Sequence, residues 1–363
     1  MSSDQTFMAR AVDLALGPSF TYPNPRVGAV LVRNGEIVSE GAHRGSGTPH
    51  AEAEALLGVD ARSATMYVTL EPCAHHGRTP PCAPAVVDAG VSRVVAAMED
   101  PDARTRGRGL AYLRAHGVDV TIGVLEDDAR ALNREWAHQR VTGRPWVTLK
   151  LALSLDGRLA APDGSARWIT GQGARRDVHA RRRVSDAVMV GAGTVLADDP
   201  SLRVNDVTPT RRQPATIVVD AAGRVRPTAR LFANHDVVMA TTESVSPDAR
   251  VGWAEAGADV LVLPSFEEGV DLAALLDVLG GGQGARRDWV ELVCEGGAEL
   301  ATSLLSRRLV DLLELHHGPV LLGAGGPSIG RVGVASMSEA LRWTCEEVRR
   351  TGDDVIATYR PPG

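Results

Sequence analysis

The sequence predicts an α/β protein in two domains, on three observations. A chain of 363 residues is too long for one ordinary domain, and each half is long enough to bury a core of its own. The first part runs helix, strand, strand, helix and then strand–helix repeats, an order that suits a three-layer α/β domain. The second part spaces short apolar runs of strand length between helical patterns, which suits a largely parallel sheet. Hydrophobic residues make up 44% and charged residues 23%, the balance of a soluble globular chain. Aromatics are only 4%, so the cores must be built from Val, Leu, Ala and Ile.

The opening stretch MSSDQTFMARAVDLALG reads as an amphipathic helix. An acid precedes its first base and no A-x-A site follows, so it does not read as a secretory signal. VGAVLVRNGEIVSEGAH, residues 27–43, is two alternating runs around Asn34-Gly35, a hairpin signal. Next come a helix over 51–57, a strand over 66–70, a helix following Cys82, a strand over 93–98, a helix near 109–116, the strand VDVTIGV and one helix across 127–140. The polar turn Thr142-Gly143-Arg144-Pro145 divides the chain into domains 1–143 and 144–363. Beyond it, WVTLKLALSLDG, DAVMVGA, ATIVVDA, DVVMATT, DVLVLP, WVELVCEG and LLELHHGPVLLG read as strands. There is no internal repeat, no low-complexity tract and no run of eighteen apolar residues that would suggest a membrane span.

A net charge of −6 argues against a dedicated nucleic-acid binder, whose footprint is usually basic. The densest basic run, ARRDVHARRR at 174–183, reads first as a solvated helix face and second as a phosphate contact. Lys150 is the only lysine among 39 basic residues. An ammonium can lose its proton when buried and a guanidinium cannot; survival of one lysine by chance is the competing reading. Two of the four cysteines fall in LEPCAHHGRTPPC, residues 70–82. The reducing cytoplasm is the default compartment, where such thiols are ligands or nucleophiles before they are disulfides.

His50-Ala51-Glu52 opens a helix after Pro49, and Cys73 and Cys82 follow in the proline-rich loop. One imidazole and two thiolates suit tetrahedral Zn²⁺ with the fourth position left to water. Glu52 could then take the water's proton and pass it to a leaving amine. The alternatives are a structural zinc completed by His75 or His76, or two ordinary reduced cysteines. His43, His75 and His76 read as lining or capping the loop.

HAE followed by LEPCAHHGRTPPC resembles the zinc-dependent cytidine-deaminase superfamily. The eight-residue gap between the cysteines, with TYPNPRVGAV and VTLEPC, is similar to the bifunctional deaminase–reductase family of riboflavin biosynthesis. KLALSLDGRLA, RWITG, ARRDVHARRR, VGAGTVLADDPSL and CEGGAEL extend the resemblance through the second half. It implies an N-terminal cytidine-deaminase-like three-layer domain and a C-terminal dihydrofolate-reductase-like domain. The implied activities are hydrolytic deamination of 2,5-diamino-6-ribosylamino-4(3H)-pyrimidinone 5′-phosphate and NADPH-dependent reduction of its ribosyl group to ribityl. His50, Cys73 and Cys82 would hold zinc, Glu52 would shuttle the proton, and Asn24 and Arg78 would lie near the substrate. In the second half, Lys150 and Asp198 match a catalytic polar pair. Ala152, Trp168, Thr194, Asp198, Gly296 and Gly297 match cofactor contacts, and Arg182, Leu202 and Glu295 match substrate contacts. The glycines of GGAEL also stand at a strand-to-helix junction, where backbone N–H groups can cradle a pyrophosphate; a bare Gly-rich turn is the bland reading. Lys150 as a surface ion-pair partner and Asp198 as a turn residue are the bland readings of that pair.

The chain departs from the family pattern in three places. Ala166 stands where G-x-S-x-W has serine, and Asn205, three residues past DDPSL, stands where the family commonly has arginine; both positions are expected to touch the sugar phosphate. Asp100-Pro101-Asp102-Ala103 replaces D-P-N-P, and an acid there is expected to repel an anionic substrate. The runner-up is therefore a relative with a working deaminase and a silent or altered reductase. A nucleic-acid base deaminase and a zinc-stabilised binding module are further alternatives. The partner implied is a small pyrimidine ribosyl phosphate, with no nucleic acid and no membrane; a homo-oligomer stays open.

Overall fold

A computed structural model describes residues 3–18, 21–77, 79–205, 213–234, 236–282, 284–325 and 328–362. The chain divides into two compact units, Met1–Gly143 and Arg144–Gly363. Among the described residues no helix is long and apolar enough to cross a membrane.

The first unit contains α1 (Ser3–Leu16), β1 (Gly28–Arg33), β2 (Glu36–Ala42), α2 (Ala51–Leu56), β3 (Thr65–Val68), α3 (Cys82–Asp88), β4 (Arg93–Ala96), α4 (Arg108–Ala115), β5 (Asp119–Ile122), α5 (Glu126–Leu132) and α6 (Arg134–Thr142). Its sheet has the order β2-β1-β3-β4-β5. β1 pairs antiparallel with β2 and β3, whereas β3, β4 and β5 run parallel. Asn34 and Gly35 both take positive φ, 54° and 80°, as the tight hairpin turn requires. α1 and α2 lie on opposite faces. A Cβ at Gly28 would fall 2.0 Å from the Ala11 carbonyl oxygen of α1, and one at Gly41 would fall 2.1 Å from that of Ala51 in α2. Gly41 thus lets α2 press onto the hairpin, with His50 immediately before its first residue. The core between the layers is small and aliphatic, with Met8, Leu31, Met66, Leu110 and Leu113 buried.

The helix expected across 127–140 is two helices, broken at Asn133. Its buried side chain accepts from the Arg26 backbone N–H at 2.7 Å and donates to the Arg26 carbonyl at 2.9 Å. A side chain that satisfies another segment's backbone in this way draws its own residue out of helical geometry, here φ −121°, ψ 22°.

The second unit contains β6 (Trp146–Leu153), α7 (Gln172–Val184), β7 (Ala187–Gly191), α8 (Ala192–Asp198), β8 (Ala215–Val219), β9 (Val237–Thr242), α9 (Pro247–Glu255), β10 (Asp259–Leu263), the two-residue strands β11 (Ser265–Phe266) and β12 (Gly269–Val270), α10 (Leu272–Leu279), β13 (Glu291–Cys294), α11 (Ala298–Ser306), β14 (Leu312–His317), β15 (Thr344–Thr351) and β16 (Asp354–Arg360). The nine-stranded sheet runs β10-β9-β8-β7-β13-β6-β14-β16-β15. It is parallel from β10 to β14 and antiparallel at the β14/β16 and β16/β15 pairings. Its middle strands are buried along almost their whole length, which accounts for their continuous apolar runs. The terminal hairpin β15/β16 was not among the expected strands: TCEEVRRT is almost entirely exposed and carries charges on both faces.

Candidate metal centre and second-unit cleft

Three segments of the first unit converge on one point. The hairpin sets down α2, whose N-cap is His50. β3 leads through Glu71 and Pro72 to Cys73. Cys82 is the first residue of α3, capped by Pro81. His50 Nδ1 lies 3.3 Å from Cys82 Sγ and 3.6 Å from Cys73 Sγ. The Cys82 backbone N–H donates to Cys73 Sγ at 3.3 Å, and the Ala83 N–H donates to the Cys73 carbonyl at 3.0 Å. All three donor atoms fall within 4.8 Å of one another. One nitrogen and two sulfurs this close are a donor set for Zn²⁺, and they leave a position open. His75 and His76 are exposed and belong to no ligand group among the described residues. All four cysteines are free thiols.

The electrostatics match that use. Hydrogen bonding from Cys82, and then from His50, holds the Cys73 thiol down at about 4 against the opposing effect of burial. Sharing with Cys73, and burial, push Cys82 up. Between them the two sulfurs favour one thiolate, and a dication makes the second affordable. Glu52, 4% exposed, is pushed up to about 7, first by burial and then by the Cys73 charge. A carboxyl balanced near neutrality can both accept and return a proton.

Sequence reasoning missed several supports of this site. Thr79 Oγ1 lies 3.1 Å from His50 Nε2; with Nδ1 turned to the sulfurs, Nε2–H donates to it and fixes the tautomer. Buried Glu71 accepts from the backbone N–H groups of Asp100 at 3.1 Å, Gly107 at 2.9 Å and Gly109 at 2.8 Å. These bonds seat the start of α4 so close to the loop that a Cβ on Gly109 would fall 1.8 Å from the Pro72 carbonyl oxygen. His43 is buried, and its ordinary basicity is lowered chiefly by that burial. Its Nδ1–H donates to the Pro49 carbonyl and its Nε2 accepts from Asn24 Nδ2, both at 2.9 Å. Asn24 is therefore tied through His43 to the residue preceding His50. Arg78 lies outside the described residues. The acid at Asp102, expected to repel an anionic substrate, is paired within its own loop: Arg104 Nε spans both carboxylate oxygens at 2.9 and 3.0 Å. That pairing, first among its causes, lowers the Asp102 pKa and sets a cation beside its charge.

In the second unit a cleft of about 400 Å³ is lined by Lys150, Ala152, Trp168, Arg182, Thr194, Asp198, Leu202, Glu295, Gly296 and Gly297. The structure thus brings together the candidate site residues named in this half, and Ala166 and Asn205 line the same cleft. Gly297 caps α11, and its missing Cβ would face Thr194 Oγ1 at 3.6 Å. The N–H groups of a helix's first turn, here that of α11, are donors that suit phosphate oxygens. Trp168 is 65% exposed, with the Arg175 guanidinium 4.5 Å over its ring. Lys150 and Asp198 both line the cleft, and the Asp198 carboxylate lies 3.4 Å from Arg167. Arg182 and Glu295 bind each other, at 2.6 and 2.7 Å through both carboxylate oxygens. Burial lowers the pKa of Lys150, and Glu295 is the first charge to oppose that.

Comparison with known proteins matches a part of each unit. Residues 1–98 match the cytidine and deoxycytidylate deaminase zinc-binding region, and residues 145–357 match the RibD C-terminal domain. The riboflavin biosynthesis protein RibD of Haemophilus influenzae is 41% identical over 377 residues, covering 100% of this chain and 98% of that protein. That of Escherichia coli is 41% identical, covering 97% and 98%. Among solved structures, Acinetobacter baumannii RibD superposes with a TM-score of 0.89 at 36% identity over 99% of each chain. A Thermotoga maritima diaminohydroxyphosphoribosylaminopyrimidine deaminase/5-amino-6-(5-phosphoribosylamino)uracil reductase gives 0.84 at 32% identity, again over 99% of each. Zinc-site geometry, second-unit cleft and full-length similarity converge: the chain belongs to the RibD family of riboflavin biosynthesis proteins, a zinc-binding deaminase domain followed by a reductase domain.

Proposed function

We propose that residues 1–143 remove the ring amine of 2,5-diamino-6-ribosylamino-4(3H)-pyrimidinone 5′-phosphate, and that residues 144–363 reduce the ribosyl group of the product to ribityl. The observation that carries the reading is the convergence of His50, Cys73 and Cys82 beside a buried Glu52. Zinc, when bound, supplies a Lewis acid that lets water ionise near neutrality. Glu52 accepts the proton released from water and delivers it to the departing amine; the ring C–N bond breaks, ammonia leaves and the water oxygen stays on the ring. Asn24, oriented by His43, is positioned to hold the pyrimidine. Burial of Glu52 excludes competing solvent from the proton's path.

NADPH, when bound, supplies the hydride that C1′ receives as its bond to the ring oxygen opens. Lys150 donates the proton that leaves this oxygen a hydroxyl. The Arg182–Glu295 pair holds the wall next to Lys150, while Trp168, Thr194 and the start of α11 offer surface to the dinucleotide. A cytoplasmic location is supported by the free thiols. The test is direct: zinc-loaded protein is given the diamino-pyrimidinone phosphate, and ammonia and NADPH are followed separately. No ammonia release refutes the deaminase assignment; no NADPH consumption on the deaminated product refutes the reductase assignment.

A further inference from the structure

The basic run of α7 is not a solvated face. Arg175, Val178, His179 and Arg182, spaced three and four apart, form one stripe of the helix along the cleft. The segment after α8 is laid against this stripe. Arg182 Nη1 donates to the Arg203 carbonyl at 3.2 Å, and the Asn205 N–H donates to His179 Nδ1 at 3.4 Å. Leu202 and Val204 turn inward and are buried, while Arg203 and Asn205 alternate outward, exposed on the cleft wall.

The cleft's guanidiniums are not equivalent. Arg182 is neutralised by Glu295 and Arg167 by Asp198. Arg175 lies over Trp168 and donates to the Thr170 carbonyl at 3.0 Å. Among the described residues Arg203 alone of the four has neither a carboxylate nor an aromatic partner, and the neighbouring Asn205 brings no charge. An uncompensated guanidinium on a cleft wall is a site for an anion, and its planar fork matches phosphate oxygens. We propose that Arg203 binds a phosphate monoester dianion, the 5′-phosphate of the pyrimidine ribosyl substrate. The assignment rests on the cleft being the reductase site. Lys150 is coupled to the Arg182–Glu295 pair, and Arg203 stands one hydrogen bond beyond Arg182. C1′ and the 5′-phosphate belong to one ribose, and Lys150 and Arg203 line one cleft. The other phosphate monoester available, the 2′-phosphate of NADPH, is carried at the far adenosine end of the cofactor.

The experiment uses full-length enzyme, wild type, Arg203→Ala and Arg203→Lys, with NADPH oxidation followed on the deaminated ribosyl phosphate and on its dephosphorylated nucleoside. Loss of a charge-assisted phosphate contact in Arg203→Ala raises KM for the phosphorylated substrate roughly 10- to 100-fold. It leaves kcat within about threefold, removes most of the preference over the nucleoside and leaves the preference for NADPH over NADH unchanged. Arg203→Lys recovers part of the loss. Unchanged KM in Arg203→Ala overturns the proposal, and so does a changed NADPH-over-NADH preference at unchanged substrate KM, which would make the arginine a reader of the cofactor. Ribose 5-phosphate, titrated calorimetrically, gives an answer independent of turnover: binding weakened in Arg203→Ala supports the site, and equal binding overturns it. Wild-type enzyme that consumes no NADPH refutes the reductase reading instead.

Discussion

Glu52→Gln separates chemistry from architecture at the metal centre. Glutamine keeps the shape of the buried side chain and leaves His50, Cys73 and Cys82 untouched, so zinc stoichiometry should stay at the wild-type level. It cannot cycle a proton, and ammonia release should fall by about 10²- to 10⁴-fold. The same change has a second readout. Burial lifts the Glu52 carboxyl from an ordinary 4.5 to about 7. The folded protein therefore keeps a proton that the unfolded chain gives up, and stability declines as pH rises from 4.5 towards 7. A shift of that size is worth roughly 3 kcal/mol at its full extent. Denaturant unfolding of zinc-stripped protein should show this decline in wild type and a flatter profile in Glu52→Gln, which becomes the more stable protein above neutrality. With zinc bound the dication offsets part of the cost and the gap should narrow. A variant with full zinc whose deamination rate stays within about tenfold of wild type would remove Glu52 from the proton path and refute the reasoning.

Gly109→Ala should strain the seat of the Cys73 loop, because its Cβ would fall 1.8 Å from the Pro72 carbonyl oxygen; a loss of about 1–3 kcal/mol in denaturant stability and weaker zinc retention against a chelator are expected. Glu314, held down at about 2 despite its burial by His316 and Arg181, adds stability above the unfolded value of about 4.5 that is lost as pH falls towards 2. Glu314→Gln should therefore cost up to roughly 3 kcal/mol at pH 7, with the difference from wild type closing across that acid window in urea titrations. Lys150→Arg keeps the charge but cannot release a proton, so NADPH oxidation should fall by about 10²-fold or more while ammonia release is unchanged. Equal loss of both activities would point to misfolding rather than chemistry.

What the sequence made legible was whatever is encoded within a few residues. Asn34-Gly35 fixed its hairpin, and H-x-E with the two loop cysteines marked the metal donors. The apolar runs of β7, β8 and β9 announced buried parallel strands. What stayed hidden depends on partners far along the chain. The break at Asn133 is made by Arg26, and α4 is seated by Glu71, neither of which leaves a trace at the position it controls. The β15/β16 hairpin reads as charged surface because β15 is an edge strand whose side chains need no apolar alternation. Arg203 looks like an ordinary loop arginine until Arg182 is seen to be consumed by Glu295. The pairing of Asp102 with Arg104 is likewise invisible in the sequence, because that arginine has no fixed place until the loop folds back.

The single lysine becomes intelligible in the same terms. Lys150 on β6 faces Glu314 on β14 in the strand register. α7 answers the neighbouring acids with two consecutive arginines, Arg181 reaching Glu291 and Glu314 at 3.2 and 3.1 Å and Arg182 reaching Glu295 at 2.6 Å. Three carboxylates thus meet two guanidiniums, and burial keeps His316 from protonating easily. The missing positive charge is the Lys150 ammonium. A third arginine would balance the sum equally well, so charge alone does not explain a lysine there. Burial pulls the Lys150 pKa down while Glu295 holds it up, and only an amine can respond to that contest by parting with a proton. Arginine serves wherever this chain needs a fixed cation, and the exception falls where the cation must be spent.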